Sequence, residues 1–130
     1  MLINFSNHHS SKWTKEQIIN ARIKYGEIKD LSFPEINPSA SIDKIIPLAR
    51  EYCKKIVEEA EKDKNNISAI HIMGEHTFVY TIIVLLQKAG LSCIASTTER
   101  RVTENGRGQK ISEFRYVAFR DYPPFKKLIK

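Results

Sequence analysis

Three short apolar runs constrain this chain more than any other feature. Leu2 to Phe5 is interrupted only by Asn4, Ile67 to Met73 is nearly continuous, and Leu91 to Ala95 is the third. All are strand length, too short for a helix or a membrane span, and each is stopped by polar residues or glycine. The segments between them carry helical punctuation. Thr14 followed by Gln17 reads as a capping box, Trp13 and Ile18 as a hydrophobic staple, and Ile18, Ala21 and Tyr25 recur at helical spacing up to Gly26. Glu27 to Phe33 reads as a second strand, and Pro34, Pro38 and the serines around Ala40 as an exposed, stiff crossing.

A second helix presents Ile45, Ala49, Tyr52, Cys53, Ile56 and Ala60 on one face, with Ser41 as a cap. Pro47 places the start of the regular helix near itself, with Ile42 to Ile46 as a preceding turn. The pattern breaks over Lys62 to Asn66. A third helix, Thr77 to Ala89, turns Val79, Ile82, Ile83 and Leu86 inward, with Gly90 just past its end.

Strands alternating with helices, the strands continuously apolar, specify an α/β fold: a mostly parallel sheet with helices on both faces, joined by right-handed crossovers. Val102–Thr103, Asn105–Gly106 and Ile111 to Phe119 then read as a C-terminal antiparallel β-hairpin extension with an Asn-Gly turn. We expect one domain over residues 1–122 and a basic tail over 123–130. At 42% hydrophobic and 28% charged residues, a disordered or fibrous chain is excluded. Cys53 and Cys93 fall in apolar stretches and read as small buried hydrophobes, not as a disulfide or a nucleophile. No secretory signal and no membrane span are read, so a cytoplasmic protein is expected.

The net charge of +6 is unevenly placed. Residues 1–96 hold 12 Lys and Arg against 11 Asp and Glu, whereas residues 97–130 hold 9 against 4. An anionic partner with a C-terminal address follows. In an open α/β sheet ligands sit outside the carboxyl ends of the strands, near the point where strand order reverses. That rule gathers Ser6 to Trp13, Gly74 to Thr77, and the polar loop Ser96 to Arg101. Helix N-termini beside such loops favour anions through their free N–H groups.

Within these segments Ser6 and Asn7 are ligand contacts or a backbone-bonding turn. Of the adjacent His8 and His9, one can face the pocket. Trp13 reads more as a lid over the core than as a base-stacking platform. Gly74, Glu75, His76 and Thr77 form a strand-to-helix turn without the glycine fingerprint of dinucleotide sites or the Walker lysine, so neither nicotinamide nor ATP is expected. Glu75 can instead cap the helix, and mid-strand His71 reads as structural. No metal-ligand spacing is present, and no cofactor is expected. Ser96, Thr97, Thr98, Glu99, Arg100 and Arg101 make the densest segment, in which an arginine is the preferred phosphate ligand.

The opening Leu2-Ile3-Asn4-Phe5-Ser6-Asn7-His8, the turn Met73-Gly74-Glu75-His76-Thr77 and the stretch Ala95-Ser96-Thr97-Thr98-Glu99-Arg100 together resemble the small Rossmann-like, CARF-related ring nucleases encoded beside type III CRISPR systems. The resemblance implies a three-layer Rossmann-like fold and a homodimer. It also implies a cyclic oligoadenylate ligand, usually the tetra-adenylate, held between two protomers and in some members cut to linear products. Cleavage without metal would need a 2′-oxygen in line with the adjacent phosphorus, a base for its proton, and a cation for the phosphoryl charge. His8 or His76 is expected in the first role and Arg100 or Arg101 in the second. Ser6, Asn7, His9, Trp13, Gly74, Glu75, Thr77, Ser96, Thr97, Thr98 and Glu99 are the expected ligand contacts. A non-catalytic sensor of the same ligand is the alternative. Direct binding to long RNA or DNA is disfavoured, because no basic stripe is interleaved with aromatics.

Overall fold

A computed structural model describes residues 1–62 and 69–130. The expected break over Lys62 to Asn66 falls mostly outside them, as does the Ile67 start of the third strand. The chain runs β1 (Leu2–Ser6), a 3₁₀ turn (Ser10–Lys12), α1 (Lys15–Tyr25), β2 (Ile28–Asp30), α2 (Ile42–Lys62), β3 (Ala69–Met73), α3 (His76–Lys88), β4 (Cys93–Glu104), β5 (Lys110–Asp121) and α4 (Phe125–Leu128). One five-stranded sheet has the order β2-β1-β3-β4-β5. The first four strands are parallel and β5 is antiparallel to β4. This is the Rossmann-like α/β fold with a C-terminal hairpin.

Alternation along the strands divides the core. Ile3, Phe5, Ile70, Ile72 and Cys93 face α2 and α3, meeting Ile45, Ala49 and Ile56 from one helix and Phe78, Val79, Ile82, Ile83 and Leu86 from the other. Leu2, Ala69 and Ile94 face α1, which contributes Ala21. The two faces differ in chemistry. The α2/α3 face is wholly apolar, whereas α1 buries Gln17 while leaving Ile19 and Ile23 exposed. A helix that buries a glutamine is packing on something polar.

Several expectations need correction. Thr14 caps α1 by accepting from the Gln17 N–H, but the Gln17 side chain does not return to close the capping box; it reaches Ser96 instead. The strand expected over Glu27 to Phe33 lasts only three residues, because Asp30 is drawn into side-chain bonds at the carboxyl edge. The following crossing is not simply exposed: Leu31, Phe33, Ile36 and Ala40 pack on the core. Helix α2 starts at Ile42, ahead of Pro47, not at it. The proline removes one N–H near the helix start, and Ile45 and Ala49 on either side of it are buried, which offsets the loss.

Ser96 to Arg101 is not a loop but the middle of β4, which runs on past the end of β3. The turn of the hairpin spans Asn105 to Gln109, closed by the Asn105 side chain accepting from the Arg107 and Gln109 N–H groups. Its positive φ is at Gly108, not at Gly106. The tail carries one exposed helical turn, α4, where no structure was expected.

At the end of β3 the chain turns at Gly74, directly beneath the Phe33 ring, where a Cβ would overlap it. Phe33 cannot retreat, since its ring is 5.0 Å from that of Phe5 and 5.3 Å from that of Phe78. We expect Gly74→Ala to lower stability by about 1–3 kcal/mol through overpacking, measured by urea unfolding. An unchanged midpoint would mean that Phe33 does not lie on this turn.

Candidate functional site

Strand order reverses between β1 and β3, so the crevice of this sheet opens at their carboxyl ends. Just below it, on the α1 face, lies a line of polar side chains that a parallel-sheet core would ordinarily exclude. Asn4 and His71 are only 1% and 2% exposed. Each has a full set of partners.

Asp30 anchors the line. Its carboxylate accepts from the Asn4 amide, the Ser10 N–H and the Ser10 hydroxyl, with the His9 imidazole 3.4 Å away. Burial pushes its pKa up, but the bonds from Ser10 and Asn4 outweigh that and hold it below the usual carboxylate range. A carboxylate only accepts, so the Asn4 amide nitrogen must face it, donating also to the His8 carbonyl at 2.8 Å. The Asn4 oxygen then accepts from the Ser6 hydroxyl at 2.8 Å and from His71 Nδ1–H at 2.9 Å. With that proton on Nδ1, His71 Nε2 accepts from the Ser96 hydroxyl at 2.7 Å, and Ser96 accepts from the Gln17 amide at 2.9 Å. Every donor in the chain points towards Asp30. Burial, with a smaller push from nearby His8, lowers the His71 pKa to about 4, keeping the ring neutral as this scheme requires.

The three segments named from the sequence do meet at one edge. The Asn7 N–H bonds the Met73 carbonyl, Ser6 pairs with Met73, and the Ser96 N–H reaches the Met73 sulfur. Their side chains have unequal freedom. Ser6 and Ser96 are held in the buried line. His9 caps the 3₁₀ turn, accepting from the Ser11 N–H. Trp13 is half-buried with its ring edge-on to His71 and 6.0 Å from Phe119, a lid over the polar line.

Glu75 caps α3, accepting from the Thr77 and Phe78 N–H groups and the Thr77 hydroxyl. Those bonds lower its pKa. The helix end that could receive a phosphate is therefore filled by the protein's own carboxylate. The Thr97 hydroxyl bonds Ala118 across an irregularity in the β4–β5 ladder. Thr98, Glu99, Arg100 and Arg101 lie beyond the edge on exposed β4. Arg100 bonds Ser112, and Arg101 pairs with Glu99 at 2.7 Å. As neighbours on a strand, the two arginines face opposite ways.

Of the expected site residues, Asn7, His8 and His76 remain exposed at the crevice, with Gly74 beside them and, among the described residues, no side-chain hydrogen bond made by any of the three. The sequence reading missed Asn4, Gln17 and Asp30 as parts of the site. A signal was present, since Leu2, Asn4 and Ser6 share one strand face on which polar residues increase towards the carboxyl end. Cys93 is buried, and that burial pushes its thiol up to about 12, which excludes it as a nucleophile. Among the described residues no three His, Cys, Asp or Glu side chains are grouped to hold a metal, and no helix is long and apolar enough to cross a membrane.

The lowered His71 pKa sets a pH dependence. The folded protein binds fewer protons than the unfolded chain between about pH 4 and 6.5, so this stability is present above pH 6.5 and lost on going down to about pH 4. Urea titrations across that range should show a loss attributable to His71 of up to about 3 kcal/mol, and His71→Gln should flatten it. An equal slope in the variant would place the acid sensitivity elsewhere.

The family named MJ1673 is matched over residues 1–120, nearly the whole chain. No curated protein and no solved structure matches it. With the match running from β1 into the last residues of β5, the chain belongs to the uncharacterized protein MJ1673 family.

Proposed function

We propose that the protein binds a nucleotide phosphodiester, with cyclic tetra-adenylate as the specific ligand, in the crevice at the carboxyl ends of β1 and β3, and cuts it by attack of a 2′-hydroxyl. The observation that carries this reading is the placement of Asn7, His8 and His76, exposed around the point where strand order reverses, on a base held rigid by the buried polar line. Rigid support is what an in-line attack needs, since positioning supplies much of the rate. The resemblance in the three segments names the ligand, and the basic last quarter of the chain favours an anion.

In this reading His8 or His76 takes the 2′-proton as the 2′-oxygen bonds phosphorus; the P–O5′ bond breaks and the imidazolium returns the proton to the leaving 5′-oxygen, giving a linear product with a 2′,3′-cyclic phosphate and a 5′-hydroxyl. Arg100, on the same face of β4 as Ser96, stabilises charge on the phosphoryl oxygens; Arg101 points to the other face. The protein acts in the cytoplasm, closing a signal by destroying its messenger. A second reading, a sensor that holds the ligand intact, is favoured by one observation: Glu75 fills the N-terminus of α3, leaving few fixed positive groups at the crevice to stabilise a transition state.

Incubation with labelled cyclic tetra-adenylate in the presence of a chelator distinguishes the two. Linear products are expected, with the rate falling about 100-fold in whichever of His8→Ala and His76→Ala removes the base. Intact ligand in a stable complex would establish the sensor instead, and an absence of binding would remove this ligand from the crevice.

A further inference from the structure

The hairpin of β4 and β5 is longer than the sheet can support. Ile94 pairs with His71, the last β3 residue in register with β4, and from Thr97 to Glu104 the strand has, among the described residues, only β5 beside it. That leaves a two-stranded ribbon projecting about 25 Å from the carboxyl edge. Isolated two-stranded ribbons are marginal in water. This one leaves Val102, Ile111, Phe114 and Val117 exposed, Phe114 at 72%. Moreover β5 is the outer strand of the sheet, and its twelve residues contain no proline to block pairing of the free edge.

The charges on one face of the ribbon form a pattern. Glu99 is opposite Arg115 and Arg101 is opposite Glu113, so signs alternate both along and across the strands. We propose that the free edge of β5 is a homodimer interface, pairing antiparallel with β5 of a second copy about a two-fold axis at Phe114. That axis sets Glu113 against Arg115 of the second copy and Arg115 against its Glu113, while the two Phe114 side chains meet on the opposite face. The alternation then continues unbroken across four strands: Glu99, Arg115, then Glu113 and Arg101 of the second copy.

Neighbouring centres do not do this. In a two-fold antiparallel pair, opposed residues must share a face, so the axis passes through a residue. An axis at Glu113 or at Arg115 opposes like charges, and one at Ser112 or Tyr116 sets neither charged residue against an opposite charge. Cross-strand charge pairs of this kind select register and partner. The proposal does not depend on the ligand. Arg100, opposite Phe114 in the ladder, lies beside the axis.

Sedimentation equilibrium of the ligand-free protein tests this directly. The wild type is expected to be dimeric at micromolar concentration. Glu113→Arg and Arg115→Glu should each weaken self-association at least about tenfold, since each opposes like charges twice across the axis. Circular dichroism should show both folded, the two residues being exposed. Mixing the two variants should restore the dimer, because the mixed pair sets arginine against glutamate at both opposed positions. A monomeric wild type at all concentrations, a dimer indifferent to both substitutions, or a mixture that stays monomeric would each overturn the proposal.

Discussion

The line of hydrogen bonds from Gln17 through Ser96, His71 and Asn4 to Asp30 is what the carboxyl end of this molecule is built upon. It crosses four strands and reaches α1, linking β2, β1, β3, β4 and the first helix in one direction of donation. An unpaired polar group at such depth costs about 1–3 kcal/mol, so no member can be displaced without exposing its neighbours to that cost. The line therefore dictates other features. Strand β2 stops at Asp30 because its carboxylate is engaged there. Helix α1 buries a glutamine where an apolar residue would be usual, and Trp13 closes over His71.

The same line divides the edge into fixed and free parts. His8 is held through its backbone, its carbonyl accepting from Asn4 and its N–H donating to the Ser6 hydroxyl, while its imidazole stays in solvent. His76 begins α3 under a cap made by Glu75. A backbone anchored by buried bonds with a side chain left free is the arrangement by which rigid scaffolds present reactive groups. The ribbon beyond the edge is built differently. It carries charge and apolar surface with little beneath it.

Much of the fold was legible because its signals are local. Apolar runs of strand length, the Thr14 cap, the inward spacing of Val79, Ile82, Ile83 and Leu86, and Gly26 at φ 90 all report on neighbours a few residues away. Errors arose where distant contacts prevailed. Gln17 completes a capping box by spacing, yet a partner 79 residues away outcompetes the local bond. Ser96 to Arg101 has loop composition, yet pairing with β5 makes it strand. Pro47 marks a helix start by local rules, yet burial of Ile45 extends the helix ahead of it.

By itself, then, the sequence determined the α/β class, the parallel body with its antiparallel hairpin, and the edge to which the polar segments are delivered. Periodicity and caps act within a turn or two of chain, which is why a linear reading captures them. Only the tertiary structure decided which polar residues face solvent and which are spent holding the protein together. Ser6, His9, Glu75, Thr77 and Ser96 resemble Asn7, His8 and His76 in composition and position, but their hydrogen-bonding capacity is already committed. For Ser6, His9, Glu75 and Thr77 the hydrogen-bond partners lie two or three residues away, whereas Ser96 is satisfied by His71 and Gln17, which only the assembled sheet and α1 bring to it.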